Sequence, residues 1–391
     1  MAEFGSLGDE PPGDGPPAAA FDAVFDVKRA RADDGRLLYY GEPLAPPEDV
    51  ERRVWPLFRE AGYEVRLTTV PERDPLTGVQ TGDEHALVAE PRSIGVNGVP
   101  WTNVVLAVLT VLTTLWAGTQ WYYVQVDPLA NPLSLLGGWP FAVAVLGVLG
   151  IHEFGHYVMS RYHGVQASLP YFIPIPSFIG TMGAVIRMRG RMPDRRALFD
   201  IGVAGPLAGL VAAVGVTTIG LSLDPVTTPR WVMNSPGAIE FDFNYPLLVH
   251  FIADAIGQPL EYADPRTSVN PVVLAGWIGM FFTFMNLLPV GQLDGGHILR
   301  AMLGRRQETI AAAVPALLFA LAAYLYYVLG SSFNAVFLWV FWGVFAIGIA
   351  YAGPATPVDD NSLDAKRIAV GIGTLILGVL CFTPVPIELV T

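Results

Sequence analysis

The sequence predicts an all-α multi-pass membrane protein of about seven spans, preceded by a small soluble α+β N-terminal domain. Of its 391 residues, 52% are hydrophobic and only 15% are charged, whereas soluble globular chains carry about 25% charged residues. The apolar residues are concentrated in segments of about 20 residues, the length that a helix needs to cross a bilayer core. The first 98 residues contain no such segment. They hold 19 acidic and 10 basic residues, and so carry −9 of the total net charge of −12.

The region before the membrane segments divides into two parts. Residues 1–20 are rich in Pro, Gly, Ala and acidic residues, which is typical of a disordered acidic tail, and they show no cleavable signal. Residues 21–98 are predicted to form a small α+β domain. Its predicted elements are a helix at 47–61 and strands at 37–40, 63–70 and 86–89. A regulatory or substrate-sorting module and a simple docking domain both fit this pattern.

Residues 99–391 are predicted to form the membrane domain. Its predicted spans lie near 101–123, 139–160, 198–222, 272–293, 309–329, 335–352 and 368–386. The apolar piece 245–256 is short and contains His250 and Asp254, so we interpret it as an interfacial or re-entrant helix. Basic residues prefer cytoplasmic loops; eleven of them lie in one set of loops, against only Arg230 and Arg266 in the other. We therefore expect a cell-membrane protein with a cytoplasmic N-terminus and an outside C-terminus.

The amino-acid composition indicates the type of source organism and limits which side chains can bind a metal. Lysine occurs only at Lys28 and Lys366, and arginine supplies the other 21 basic residues. An acidic, lysine-poor chain stays hydrated in strong salt, so a haloarchaeal source is predicted, with a GC-rich genome as the alternative explanation. The single cysteine, Cys381, excludes an internal disulfide and any site with several thiolate ligands. No feature indicates nucleic-acid binding.

The strongest local motif is His152-Glu153-Phe154-Gly155-His156, near the end of the second predicted span. Histidines four residues apart lie on one face of a helix, so both imidazoles can bind one metal ion. Glu153 is then placed to act as general base toward a water activated by that metal. Ionisable residues are costly at membrane depth, and their presence in an apolar segment itself indicates function.

Zinc catalysis requires a third protein ligand besides these two histidines. Asp294 lies at the inner end of the fourth predicted span, at the predicted depth of the histidines, and is the first candidate. His163 follows His156 by two helical turns and is an alternative, although Gly164 indicates that the helix ends there. His297, one turn beyond Asp294, is interpreted as a residue at the membrane surface or as a hydrogen-bond partner of the site.

The sequence HEFGH in one span, followed by Asn286-Leu-Leu-Pro-Val-Gly-Gln-Leu-Asp294-Gly-Gly in a later one, resembles the site-2 protease family of intramembrane zinc metalloproteases. Residues 170–196 and the Gly205-Pro206 motif are similar to its plant and cyanobacterial gravitropism-deficient and yellow-green branch, with its haloarchaeal relatives. The likeness covers about residues 95–310, with a catalytic core at about 138–304. It implies an endopeptidase that cleaves transmembrane segments of membrane proteins, surrounded by lipid, with one catalytic Zn²⁺.

The resemblance also implies roles for individual residues. It implies that His152, His156 and Asp294 hold the zinc, with Glu153 as the base. It implies that Asn286 binds substrate or the oxyanion of the transition state, while helix packing is the alternative role for this amide. Pro289 would interrupt the fourth span and free carbonyl groups beside the ligands, and it is included among the candidate substrate-binding residues.

The stretch 171–186 contains two prolines and is a poor spanning helix. It resembles the membrane-entering β-hairpin of the family, whose strand edge, around Gly180 and Gly183, would hold an extended substrate. A loop packed over the helices is the alternative. Gly209 departs from the family pattern, because many members carry a polar residue there; a small residue permits close helix packing.

Two other classes of function fit a protein of this composition. One is a non-catalytic membrane scaffold that binds helical segments, and the other is an ion transporter. Both halves of the metalloprotease motif are present, which disfavours the scaffold, and the sequence shows no internal repeat of the kind found in transporters. The sequence does not indicate the substrate, a requirement for prior cleavage, or the oligomeric state.

Overall fold

The computed structural model describes residues 14–73, 80–92, 98–127, 130–189, 191–235, 240–353 and 355–390. The chain divides into two compact units, Met1–Gly95 and Val96–Thr391. The first is an antiparallel sheet with one long helix, and the second is mostly helical.

The first unit is built around a four-stranded antiparallel sheet. Its elements are β1 (Phe25–Asp33), β2 (Arg36–Pro43), α1 (Pro47–Glu60), β3 (Tyr63–Arg73) and β4 (Gln80–Pro91), with strand order β1-β2-β4-β3. The aromatic rings of Phe21, Tyr39 and Phe58 meet at centroid distances of 5.3–5.6 Å in its core. Strand β1 was not predicted, because nearly all its side chains are exposed and it has no alternating apolar pattern.

The ordered part of this unit begins before residue 21. Residues 1–13 of the predicted tail lie outside the described residues, whereas Ala18–Ala20 form a short 3₁₀ helix. The Tyr39 hydroxyl donates a hydrogen bond to the carbonyl of Pro16 at 2.8 Å. Burial raises the pKa of Tyr39 above its ordinary value, because the charged phenolate would lose its solvation. Residues 14–20 are therefore attached to the sheet.

The second unit is organised by its helices. They are α2 (Trp101–Trp121), α3 (Trp139–Tyr162), α4 (Arg195–Ser222), α5 (Arg230–Met233), α6 (Leu247–Ile256), α7 (Pro271–Asn286), α8 (Asp294–Leu303), α9 (Gln307–Tyr327), α10 (Phe333–Ala352) and α11 (Ala365–Leu380). Helices α3, α7 and α8 all pack against α4. Large apolar side chains on the outer helices are exposed, such as Val108, Leu317 and Val344 at 53%, 66% and 60%, as lipid-facing surfaces require.

Five helical segments within the described part of the chain are long and apolar enough to cross a membrane. They are Trp101–Trp121, Pro132–Tyr162, Arg195–Ser222, Asp294–Tyr327 and Phe333–Ala352. Helices α7 and α11 have 16 residues each, so they are shorter than the predicted spans 272–293 and 368–386. Helix α7 ends at Asn286 because Pro289 has no N–H to continue the helical hydrogen bonds. The predicted short helix within 245–256 is α6.

Short strand pairs connect the helices. They are β5 (Gln166–Ala167) with β8 (Met188–Arg189), β6 (Tyr171–Pro174) with β7 (Thr181–Val185), β9 (Met192–Asp194) with β13 (Pro357–Asp359), β10 (Val226–Thr227) with β12 (Thr267–Ser268), and β11 (Glu240–Phe243) with β14 (Ile387–Val390). Strands β6 and β7 are antiparallel, with Phe172 opposite Ala184. The stretch for which the family resemblance implies a hairpin thus forms one, beside α2 and α3.

Candidate metal centre

Three buried donor groups meet where α3 and the start of α8 lie close together. His152 and His156 are on one face of α3, and Asp294 is the first residue of α8. The Nε2 atoms of the two histidines are 3.2 Å apart, and each lies 3.2–3.3 Å from an oxygen of the Asp294 carboxylate. One donor atom from each residue lies within 4.8 Å of the others. This group could hold one metal ion.

The tautomer of His156 follows from its second ring nitrogen. Nδ1 lies 2.8 Å from the carbonyl oxygen of Ile201 on α4. Since a carbonyl oxygen can only accept, the hydrogen of the neutral ring must be on Nδ1. The lone pair of Nε2 is then directed at the centre, as a metal ligand requires.

Helix α4 lies directly against both imidazoles, and two glycines permit this. A Cβ atom on Gly205 would lie 2.0 Å from His156 Nε2, and a Cβ atom on Gly209 would lie 2.7 Å from His152 Nδ1. Neither distance leaves room for a methyl group. Gly209 therefore lets α4 approach the His152 ring, which a side chain at this position would overlap.

Asp294 is positioned by the tight turn between α7 and α8. A Cβ atom on Gly295 would lie 2.0 Å from the carbonyl oxygen of Leu287, so the turn passes immediately behind the carboxylate. The helix N-terminus favours a negative charge at this position. Asp294 Oδ2 is buried and has no hydrogen-bond partner among the described residues. This Oδ2 lies 3.3 Å from His152 Nε2, and Oδ1 of the same carboxylate lies 3.2 Å from His156 Nε2. A carboxylate whose two oxygens face two imidazole nitrogens fits a metal ligand, so the donor set suits a metal ion.

Glu153 connects the metal group to the hairpin. Its side chain is buried at 7% exposure, and its carboxylate lies near the backbone N–H of Ile186, the residue after β7. Because neighbouring positions on α3 hold the histidines, the carboxylate lies between the donor group and the hairpin. Sequence reasoning did not identify Ile186, since a backbone donor leaves no mark in residue type.

The predicted substrate-binding residues lie in different environments. Asn286, the last residue of α7, is half-buried, and its Nδ2 lies 3.5 Å from His152 Nε2. The carbonyl of Pro289 lies 3.5 Å from Gln307 Nε2, so it is directed at α9 and not at the metal group. Gly183 has a φ of +109°, and a Cβ atom placed on it would lie 3.9 Å from the ring of Phe282 on α7.

Gly180, a predicted substrate-binding residue, lies directly against α2. Its φ is +85°, and a Cβ atom there would lie 2.5 Å from the Cα of Thr114. The hydroxyl of Thr113 donates to the Gly180 carbonyl at 2.6 Å. Gly180 therefore allows close contact between the hairpin and the first membrane helix.

The two alternative histidines have other environments. His163 Nε2 donates to the Asp200 carboxylate at 3.0 Å, so its imidazole is engaged away from the metal group. His297 is only 5% exposed, which corrects its interpretation as a membrane-surface residue. It is buried because α8 packs against α4, where the Gly202 backbone leaves space for its Cβ.

Asp200 is the centre of an ion network that sequence reasoning missed. Besides His163, it accepts hydrogen bonds from Nε and Nη2 of Arg367, both at 2.8 Å. The network joins the end of α3 to α4 and α11. A lone carboxylate within the third predicted span was the available signal, because such groups are costly in hydrocarbon unless they are paired.

We expect Asp200→Asn to lower the thermal unfolding midpoint by several degrees while zinc content is retained. The amide is uncharged and has a single acceptor oxygen, so it cannot replace the carboxylate that pairs with His163 and Arg367. Each hydrogen bond to a charged group contributes about 1.5–3 kcal/mol. Differential scanning fluorimetry in detergent measures the midpoint. The control is Asp264→Asn, which removes an exposed pair with Arg266 and should change little. Equal midpoints for both variants would contradict a structural role for Asp200.

Comparison with known proteins identifies the same region of the chain. The model of peptidase family M50 matches residues 140–329, which include the HExxH motif and Asp294. Probable zinc metalloprotease EGY1, chloroplastic, of Arabidopsis thaliana is 33% identical over 254 residues, which is 64% of this chain and 43% of that protein. Probable zinc metalloprotease EGY2, chloroplastic, of Oryza sativa subsp. indica is 26% identical over 373 residues, with coverage of 94% and 64%.

The chain thus spans 43% and 64% of the lengths of these two curated relatives. Among solved structures, the Site-2 Protease from Methanocaldococcus jannaschii has 15% identity and a TM-score of 0.30, covering 66% of this chain and 92% of that chain. The family match includes both halves of the motif that the sequence analysis identified. Residues 140–329 of this chain, just under half of it, therefore match peptidase family M50.

Proposed function

We propose that the protein is an intramembrane zinc endopeptidase that cleaves transmembrane segments of membrane proteins. The observation that carries this proposal is the group formed by His152, His156 and Asp294, buried beside Glu153 among helices long enough to cross a membrane. The relatives are named as probable zinc metalloproteases, which supports the same activity. The chain covers only part of their length, so the buried donor group is the main support for this activity.

Zinc fits the donor set of two imidazoles and one carboxylate, leaving a fourth position for a reactant. When bound, it would supply a Lewis acid for polarising the scissile carbonyl and activating water. His156 would be held in its ligating tautomer by the Ile201 carbonyl. Asp294 would balance part of the metal charge.

Glu153 would serve as the general base. Its carboxylate would take a proton from the attacking water and deliver it to the leaving amine nitrogen. The N–H of Ile186 would hold the carboxylate in position. The Asn286 amide is close enough to His152 to donate a hydrogen bond to the developing oxyanion.

The hairpin would receive substrate in an extended form, because a helix conceals its peptide bonds. Strand β7 is paired on one side only, with β6, among the described strands. Backbone groups of alternate residues in a strand point to the same side, so Ala184 presents its N–H and C=O on the side of the Ile186 N–H. A substrate strand paired with Ala184 would therefore lie beside Glu153.

We extend the proposal to topology. Counting α7 and α11 as short spans gives seven, with a cytoplasmic N-terminus, an outside C-terminus and location in the cell membrane. Helix α7 is buried from Pro271 through Met280, so protein, and not lipid, covers most of it and its length need not match the bilayer. The first unit would act as a regulatory or docking module on the cytoplasmic side.

Proteoliposomes containing the full chain and zinc test this function against its rivals. The probes are β-casein, which needs no unwinding, and a single-span reporter labelled at both ends. We expect cleavage of both that is lost in His152→Ala, without ion uptake. Ion uptake with intact probes would identify a transporter. Binding of the reporter with neither cleavage nor uptake would identify a scaffold.

A further inference from the structure

The hairpin of β6 and β7 is hydrogen-bonded along α2. At one end of the helix, Asn103 Nδ2 donates to the carbonyls of Leu169 and Pro170, both at 2.9 Å. Ten residues further along α2, the hydroxyl of Thr113 donates to the carbonyl of Gly180. These bonds are made to backbone carbonyls, so they hold the hairpin along α2 independently of its side chains.

The tip of the hairpin is bound at the opposite end of α2. Trp121, the last residue of the helix, donates from Nε1 to the carbonyl of Phe178 at 2.7 Å. Asn103 and Trp121 are separated by about 27 Å along the helix axis, which is close to the thickness of a bilayer core. The hairpin therefore extends along nearly the whole first membrane helix.

Aromatic rings surround this last hydrogen bond. We call the cluster of Trp121, Phe178, Phe241 and Phe243 the aromatic clasp. The Trp121 ring lies 5.6–6.5 Å from the other three, centroid to centroid, and Phe178 stacks on Phe241 at 5.5 Å. Rings at these separations attract one another beyond their buried area. The clasp joins the hairpin tip to β11.

The clasp also contacts the helix that ends beside the metal group. Phe243 meets Trp277 of α7 edge to face at 5.5 Å, and Trp277 Nε1 donates to the carbonyl of Asn244 at 3.1 Å. Strand β11 is itself paired with β14. The hairpin tip is thus held by α2, by α7 and by a separate two-stranded sheet.

The hairpin needs such support because its own ladder is short. Only three residue pairs join β6 and β7, with an irregularity between Phe172 and Pro174. An isolated two-stranded hairpin is marginally stable at best. At its base, Ser168 N–H donates to the carbonyl of Arg187 at 3.0 Å, and at its tip Gly180 N–H donates to the carbonyl of Ser177 at 3.1 Å. These few bonds are local, so contacts with other elements add support to the tip.

We propose that the aromatic clasp is a positioning device for substrate binding, with Trp121 as its main residue. By fixing the tip, it keeps the free edge of β7 in register with Glu153, which lies near the N–H of Ile186, the residue after β7. The clasp does not touch the metal ligands. This inference rests on the proposed function of β7 as the substrate strand.

Kinetics with β-casein test the clasp. We expect Trp121→Ala to raise KM about tenfold with kcat within about threefold, because ground-state binding is lost and the catalytic groups are untouched. Trp121→Phe keeps a ring but loses the donor, so an intermediate KM is expected. Zinc content should stay at the wild-type level. The control is Trp116→Ala on the same helix, whose ring is 40% exposed and makes no aromatic contact among the described residues.

A crosslinking rescue separates positioning from general stability. Trp121→Cys with Phe178→Cys, in a Cys381→Ala background, should show the raised KM, and a short flexible bis-maleimide should restore it. A crosslinked protein without activity would show that the tip must move, which overturns the proposal. Unchanged KM in Trp121→Ala would also overturn it. Failure of the proposed function would look different, since the wild-type protein itself would then cleave nothing.

Discussion

Glu153→Gln is expected to abolish cleavage while the protein keeps its zinc and its fold. The glutamine amide cannot take a proton from water, but it has nearly the same size as the carboxylate and can occupy the same place. General acid–base groups contribute about 10²–10⁴-fold to rates, so we expect kcat to fall by about 10³-fold or more. Initial rates of β-casein cleavage measure the loss, and elemental analysis measures the zinc.

Two controls make this result specific. Glu153→Asp keeps a carboxylate on a shorter side chain, so partial activity is expected because the base no longer reaches its position fully. Glu388→Gln changes a carboxylate on β14, outside the metal group, and should behave as wild type. If Glu153→Gln cleaved at the normal rate in a preparation free of other proteases, a different group would have to be the base. Loss of zinc from this variant would instead assign Glu153 to the metal.

The metal group could be predicted from sequence. The histidine spacing is a local pattern, and the position of Asp294 follows from its predicted depth in the membrane. The spacing of His152 and His156 places both on one helix face whatever the tertiary structure is. Asp294 could be proposed because it ends a span at the depth of the histidines. The structure brings these three residues together.

Contacts between distant helices could not be predicted in the same way. The pairing of His163 with Asp200 depends on how α3 and α4 cross, and no residue pattern encodes this crossing angle. The burial of His297 depends on α8 lying against α4. The contact of Gly180 with α2 was not predicted either, because a strand pattern does not show which side of the hairpin faces α2.

The fold shows a similar division. Five long apolar helices lie where composition predicts spans, because apolar length is set by the bilayer. The ends of α7 and α11 depend on how much protein surrounds them, which composition does not show. The two prolines in 171–186 excluded a helix, but only the family resemblance predicted the hairpin.

Gly205→Ala is expected to disrupt the metal group without any change to a ligand. Its added methyl carbon would lie 2.0 Å from His156 Nε2, the atom proposed to bind zinc. Either the imidazole or α4 must move, and small errors in ligand orientation typically reduce metal affinity by about 10–100-fold. Zinc titration with a competing chelator measures the affinity, and β-casein cleavage should fall in parallel.

The same helix supplies a graded series. A methyl group on Gly209 would lie 2.7 Å from His152 Nδ1, whereas one on Gly215 would have no atom within 4 Å. Because Nδ1 is the ring nitrogen remote from the metal group, Gly209→Ala should weaken zinc less than Gly205→Ala. Gly215→Ala should leave zinc affinity unchanged, since alanine favours a helix over glycine. Equal zinc affinity in all three variants would mean that α4 does not hold the histidines. If zinc affinity falls most in Gly205→Ala, less in Gly209→Ala and not in Gly215→Ala, the first two glycines support the metal centre by leaving space for its histidine ligands.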